Sequence, residues 1–203
     1  MKPIIKINLD AKINSHEPMI LELGSGNKKP DHSRVYIDRL ELPGVDIIAN
    51  LEDGLPFLPD NSVDAIYSNS FLEHINNLEF LMYEIWRVLK PNGQKYVFVP
   101  HFSNPYYYSD YAHHRFFGLY SFEYFSKSQT SYKRKVPDFY HQFSFHTEKL
   151  TLVFNSPWRT RKIIKKFAQK IFNINNKWQE FYEENLCYLI PCYGIQAILK
   201  PEK

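Results

Sequence analysis

Two cysteines in 203 residues are too few for a disulfide framework, and Cys187 and Cys192 stand five apart with no metal-ligand spacing around them. Reduced thiols buried in a core are expected of both. Nowhere do about 18 apolar residues run together, which excludes a spanning helix, and no N-terminal apolar stretch leads to a cleavage site; a cytoplasmic protein is expected. Internal repeats are lacking. The net charge of +3 is too small to imply a nucleic-acid partner. Its distribution is uneven, however: residues 127–177 hold twelve Lys or Arg against only Asp138 and Glu148, whereas the first 126 residues hold eleven basic and sixteen acidic residues. The length suits a single domain with room for a sheet of six or seven strands.

What is present begins with Met19-Ile20-Leu21-Glu22-Leu23-Gly24-Ser25-Gly26. A short apolar run breaking into Gly-x-Gly reads as an inner strand that delivers a ligand loop, since glycine permits close backbone approach. Val35-Tyr36-Ile37-Asp38 reads as a second strand ending in a carboxylate, where doubly wound folds grip ribose hydroxyls. A dinucleotide site does not fit. The third glycine of that fingerprint is missing, Asn27-Lys28-Lys29-Pro30 follows instead, and Asp38 comes too soon for a full crossover helix. Pro30 with Asp31-His32-Ser33 reads as a loop or one helical turn, so a ligand with a ribose but no pyrophosphate is expected.

Further strands are read at 45–50, 62–67 and 94–100. A helix capped by Asn77 carries the apolar stripe Leu78, Leu81, Ile85, Val88 and Leu89, and Lys90-Pro91-Asn92-Gly93 ends it. The fold class is thus α/β, a Rossmann-like open, mostly parallel sheet with helices on both faces. Gly24, Asp38, Asn50, Asn69 and His101 fall on its carboxyl edge.

These residues resemble the class I S-adenosylmethionine-dependent methyltransferases, in particular the small type 11 group. The resemblance rests on Leu21-Glu22-Leu23-Gly24-Ser25-Gly26, Asp38, Leu55-Pro56-Phe57, Asp60-Asn61-Ser62-Val63-Asp64, Leu72-Glu73-His74, Arg87-Val88-Leu89-Lys90-Pro91 and Val99-Pro100. It implies S-adenosyl-L-methionine as cofactor, met by Glu22, Gly24, Ser25, Gly26, Asp38, Arg39, Asn50, Leu51 and Asn69. In that reading the glycines pass under the methionine part and Asp38 accepts both ribose hydroxyls. Asn50 and Leu51 meet the adenine edge, and the Asn69 carbonyl receives the ammonium. The family usually has Asp where Asn50 stands, and an amide can still meet adenine.

The sulfonium makes the methyl electrophilic, so the protein has to align an acceptor and take its proton. His101, directly after the fifth strand, and His113 are the expected catalytic residues. Residues 102–150 are read as an aromatic insertion over the cofactor core of 19–101, with His74, Tyr106 and Arg115 meeting substrate. Phe116, Phe117, Leu119, Tyr120, Phe122 and Phe125 are read as core. No metal is expected, since His101, Asp110, His113, His114 and His141 show no ligand spacing. Residues 151–203 hold a basic helix and the final strands. Over 158–177, Ile163, Ile164, Phe167, Ala168, Ile171 and Phe172 share one helical face among cations. That face either packs on the sheet or meets phosphate or anionic lipid, a peripheral membrane contact.

The expected function is O-methylation of a small or carbohydrate-type acceptor, such as a nucleotide sugar or an intermediate of polysaccharide biosynthesis, with no nucleic acid involved. Two rivals are an aminopropyl transferase, for which no acidic polyamine pocket is seen, and a non-catalytic partner of the same fold, which need not keep Gly24, Gly26 and Asp38. A base-amino methyltransferase would show Asn-Pro-Pro-aromatic where Asn69-Ser70-Phe71 stands.

Overall fold

The computed structural model describes residues 2–28, 31 and 33–203; the expected loop residues Lys29, Pro30 and His32 lie outside them. Eight strands form one sheet in the order β1-β4-β3-β2-β5-β6-β8-β7. They are β1 (Ile4–Ile5), β2 (Ile20–Leu23), β3 (Val35–Asp38), β4 (Ile47–Ile48), β5 (Val63–Asn69), β6 (Leu89–Pro100), β7 (Ser144–Val153) and β8 (Gly194–Glu202). The five strands from β4 to β6 run parallel, while β1, β8 and β7 pair antiparallel. Because β2 lies between β3 and β5, the strand order reverses there, and the crevice at its carboxyl end is where such sheets take ligands.

The inner strands are apolar on their shared face. Leu21, Leu23, Ile37, Ile66, Val99, Ile195 and Leu199 are all fully buried. Helix α2 (Leu78–Val88) starts as read: the Asn77 side chain accepts from the Phe80 amide at 3.3 Å, and Leu81, Ile85 and Val88 are buried. The expected terminator at 90–93 behaves differently. The chain enters β6 directly at Leu89, and the residues around Pro91 and Gly93 fall in a register shift between Val63 and Ala65 of β5. A bulge is where a strand tolerates a proline that cannot donate to the ladder.

Two elements depart from the expectations. Strand β7 occupies 144–153, so the insertion ends before residue 144 and the boundary at 150 falls inside a strand. The basic helix is two: α3 (Arg159–Phe172) and α4 (Asn176–Asn185), split where Asn173 caps the first and the Asn175 side chain accepts from the Trp178 amide at 3.1 Å. Over the opposite sheet face, Glu22, Arg34, Tyr67, Tyr96, Phe98 and Ile198 help line an open groove of about 400 Å³.

The motif residues around α2 form one clamp. Arg87 donates to Glu84 at 2.7 and 2.9 Å, to the Leu58 carbonyl at 3.0 Å and to the Leu55 carbonyl at 2.9 Å. Glu84 in turn accepts from the Leu55 amide at 2.8 Å. The guanidinium holds the Glu84 carboxyl below its usual range. Removing one member leaves a largely buried charge without its partner. Arg87→Met is expected to lower stability by about 3 kcal/mol, read from urea unfolding midpoints; a loss below the error of that measurement would dismiss the clamp.

Candidate active site

The glycine loop leaves β2 with Gly24 at φ 63° and Gly26 at φ 56°, both in the left-handed region. The amides of Gly24 and Ser25 donate to the Ile37 carbonyl, at 2.9 and 3.2 Å, which folds the loop over β3. A Cβ on Gly24 would lie 2.2 Å from the Phe71 ring, so this position admits no side chain. Ser25 is buried and its hydroxyl has no partner. Glu22 does not reach this edge: its carboxylate pairs with Lys28 and, at 2.7 Å, with Arg34, anchoring the loop from beneath.

Asp38 ends β3 with its carboxylate turned to the loop. One oxygen accepts from the Gly26 amide at 2.8 Å and the other from the Leu40 amide at 2.9 Å. A carboxylate has about four acceptor sites, so two remain for hydroxyls. Arg39 beside it is exposed. The Asn50 oxygen accepts from the Glu52 amide at 3.2 Å and leaves its NH₂ to donate outward. Leu51 is buried, which leaves only its backbone to face a ligand. At the end of β5, Asn69 is exposed and Ser70 takes the left-handed φ of 51° that turns the chain across the crevice.

Beyond β5 and β6 lies a second groove, lined by Ser70, Glu73, His74, Phe98, Asn104, Tyr106, Tyr107, Asp110, His113 and Tyr193 among others. His74 Nδ1 lies 3.0 Å from the Ala112 carbonyl and His113 Nδ1 lies 2.9 Å from the Tyr107 carbonyl. A carbonyl only accepts, so each Nδ1 carries a proton; this leaves Nε2 of His74 to accept from a ligand, while Nε2 of His113 faces the Asp110 carboxylate, to which it can only donate. The rings meet at 4.8 Å between centroids, and His113 Nε2 stands 3.5 Å from Asp110. Glu73 is fully buried, with neither carboxylate oxygen hydrogen-bonded. Burial pushes its carboxyl up to about 7, assisted by Asp110.

The ligand atoms of Glu73, His74 and His113 lie within 4.8 Å of one another, a set that could hold a metal ion. No sequence spacing announced it, because His113 comes from the insertion and the other two from the turn after β5. For Glu73 the signal in the sequence is its place beside His74 in Leu-Glu-His.

Two expected site residues do other work. His101 is fully buried, with Nδ1 2.9 Å from the Ser103 hydroxyl and Nε2 3.1 Å from Glu183, so it has no nitrogen to offer an acceptor. Its role as base is corrected to a structural one, tying β6 to α4. Arg115 donates to the carbonyls of Ile75 (3.2 Å) and Asn76, strapping the insertion down rather than lining the groove. Tyr106 does line it, half exposed. Of the six apolar insertion residues, Phe117, Leu119, Phe122 and Phe125 are buried core, Tyr120 packs against it, and Phe116 is exposed.

Residues 28–97 match a family described as a methyltransferase domain. Among solved structures, the chain resembles a SAM-dependent methyltransferase from Archaeoglobus fulgidus (13% identity, 91% of this chain and 86% of that one, TM-score 0.50). It also resembles one from Thermotoga maritima (15%, 95% and 86%, 0.52). A third likeness is to a complex of the Haloferax volcanii Trm112 methyltransferase activator with a methyltransferase (12%, 96% and 88%, 0.53). At these identities the likeness is one of fold. No curated protein matches the chain. The sheet with its reversal at β2, together with the domain match, defines a class I methyltransferase fold. The family match thus places a methyltransferase domain over residues 28–97, on a fold shared with S-adenosylmethionine-dependent methyltransferases.

Two outcomes follow from this geometry. Gly24→Ala meets both the Phe71 ring and an unfavourable φ, and is expected to cost about 2 kcal/mol or more and to abolish S-adenosylhomocysteine binding in calorimetry. Glu73, whose folded pKa is raised, keeps a proton that the unfolded chain releases near pH 4.3, so stability falls as pH rises from about 4 to about 7. Glu73→Gln is expected to stabilise by about 3 kcal/mol near pH 8 and far less near pH 4, as urea melts at both pH values will report.

Proposed function

We propose that the protein is an S-adenosylmethionine-dependent methyltransferase that moves the methyl group to a hydroxyl of a small, carbohydrate-type acceptor, such as a nucleotide sugar or a surface-glycan intermediate, seated in the groove beyond β5 and β6. The observation that carries the proposal is His74: its Nδ1 is fixed on the Ala112 carbonyl, which leaves Nε2 as an acceptor in that groove. The surrounding Phe98, Tyr106, Tyr107 and Tyr193 offer ring faces, and Ser70, Asn104 and Asp110 offer polar tips, a mixture suited to the faces and hydroxyls of a sugar.

The cofactor residues fit their group. The unpartnered Ser25 hydroxyl and the loop glycines form the cradle, and Asp38 has acceptor sites left for the ribose. Asn50 would donate at the adenine edge, Leu51 would contribute backbone, and the Asn69 carbonyl would receive the ammonium, with Arg39 at the rim. Glu22 acts through Lys28 and Arg34 by holding the loop.

When bound, the cofactor supplies a methyl group on a positively charged sulfur, and loses it to become the neutral thioether. The chain's part is alignment and proton transfer. His74 Nε2 accepts the hydroxyl proton as the new carbon–oxygen bond forms, and the His113–Asp110 pair beside it stabilises the positive charge that results. Glu73 keeps the back of the groove dry and uncharged below pH 7.

A second reading keeps the pocket and changes the chemistry: Glu73, His74 and His113 hold a divalent ion that orients the acceptor hydroxyl. Chelation separates the two. Turnover of a nucleotide-sugar panel unchanged after dialysis against a chelator supports proton transfer, and turnover lost and then restored by Zn²⁺ or Mn²⁺ supports the ion. Asp38→Ala is expected to weaken S-adenosylhomocysteine binding about a hundredfold or more. His74→Ala is expected to leave that affinity intact and lower kcat by a factor of about 10²–10⁴; unchanged kcat would remove His74 as the base.

A further inference from the structure

Helix α3 does not bury the apolar face that its sequence lays out. Ala168 and Phe172 pack into the core, but Ile163 is 69%, Ile164 63% and Phe167 66% exposed, and Trp158 just before the helix is 63% exposed. Large side chains so placed lose water contact only if something else covers them. Beside them Lys162, Lys166 and Lys170 recur at every fourth residue and line one shallow groove, with Arg159 and Arg161 also exposed. The helix contains no acidic residue.

We propose that α3 seats the protein on an anionic membrane surface, with Trp158, Ile163, Ile164 and Phe167 entering the headgroup boundary and the lysine row meeting lipid phosphates. The charge pattern selects this occupant. A second copy laid on the same face by a two-fold axis would bring two rows of cations together with no acid to answer them. A nucleic acid would meet the cations and leave the isoleucines and Phe167 uncovered. An anionic bilayer satisfies both, as surface-lying amphipathic helices do.

The placement has a consequence for the acceptor. A further groove lined by Arg161, Ile164, Leu189 and Pro191 runs from α3 to Asn104, Tyr106 and Tyr193, which also line the groove of the proposed reaction. The site therefore opens beside the docked face, and the acceptor class that fits is a glycan carried on a membrane lipid phosphate. That last step rests on the carbohydrate-acceptor reading; the docking itself does not, and its test needs no acceptor.

The experiment is flotation of the full chain with vesicles of phosphatidylcholine alone and of phosphatidylcholine mixed with phosphatidylglycerol, at low and high salt. The expected result is binding to the mixed vesicles alone, weakened by salt. Ile164→Glu and Phe167→Glu, at exposed positions and checked for unchanged melting, are expected to weaken binding about tenfold each. Lys166→Glu combined with Lys170→Glu should weaken it about twentyfold or more and flatten the salt dependence. Equal binding to both vesicle types, no binding at low salt, or a solution dimer that Phe167→Glu dissociates would each overturn the proposal.

Discussion

A single buried carboxylate holds the glycine loop in place. Glu22 has a side chain only 4% exposed, and it is answered by Lys28 from the glycine loop and Arg34 from the start of β3. Arg34 in turn lies 3.9 Å over the Tyr67 ring, which stacks on Tyr96 at 4.5 Å. One charge thus ties the loop to three neighbouring strands, β3, β5 and β6. A buried ion pair contributes little net stability, but breaking it strands a charge away from water, so each partner enforces the position of the other. The buried Lys95 ammonium also feels Glu22: burial drives it down to about 7 while the carboxylate resists. The loop conformation that the Asp38 carboxylate completes depends on this arrangement.

The family motifs divide by what they do. Most are structural. Asp64 accepts from the Met19 amide and from Lys90, each at 2.8 Å, joining β2 and β5 to the start of β6. The amides of Asn61 and Ser62 donate to the carbonyls of Arg87 and Val88, and Arg87 holds the Leu55-Pro56-Phe57 loop. These residues share a recognisable string because they meet in space, and none of them touches the groove where an acceptor would sit. Leu-Glu-His differs, since its Glu and His line that groove, as Pro100 of Val99-Pro100 also does, and its carbonyl at Glu73 receives the amides of His114 and Arg115. The turn after β5 therefore sets two residues of the groove as well as the docking of the insertion beside it.

The legibility of the chain followed the range of its contacts. Strand runs, the Asn77 cap and the apolar stripe of α2 are local patterns, set by side-chain periodicity and backbone freedom, and they lie at nearly the residues where they are expected. Strand β7 was missed because its polar and apolar residues alternate irregularly, with a register shift between Thr147 and Lys149. It is a strand only because β8 offers it an edge. His101 looked well placed because position along the chain says nothing about the Ser103 and Glu183 that occupy its two nitrogens.

By itself the sequence determined the α/β class, the glycine loop and Asp38 at the carboxyl edge, and the amphipathic, basic character of 158–177, since all of these follow from neighbours a few residues apart. Only the tertiary structure decided which histidine keeps a free nitrogen, that Glu73 is buried without a partner beside His74 and His113, and that the apolar face of α3 points outward. Those outcomes depend on segments far apart in the chain meeting, as Arg115 meets Ile75 and His74 meets Ala112, and on whether packing leaves a polar atom paired or alone. No local pattern encodes that, because the energy of a buried group is set by what surrounds it in space.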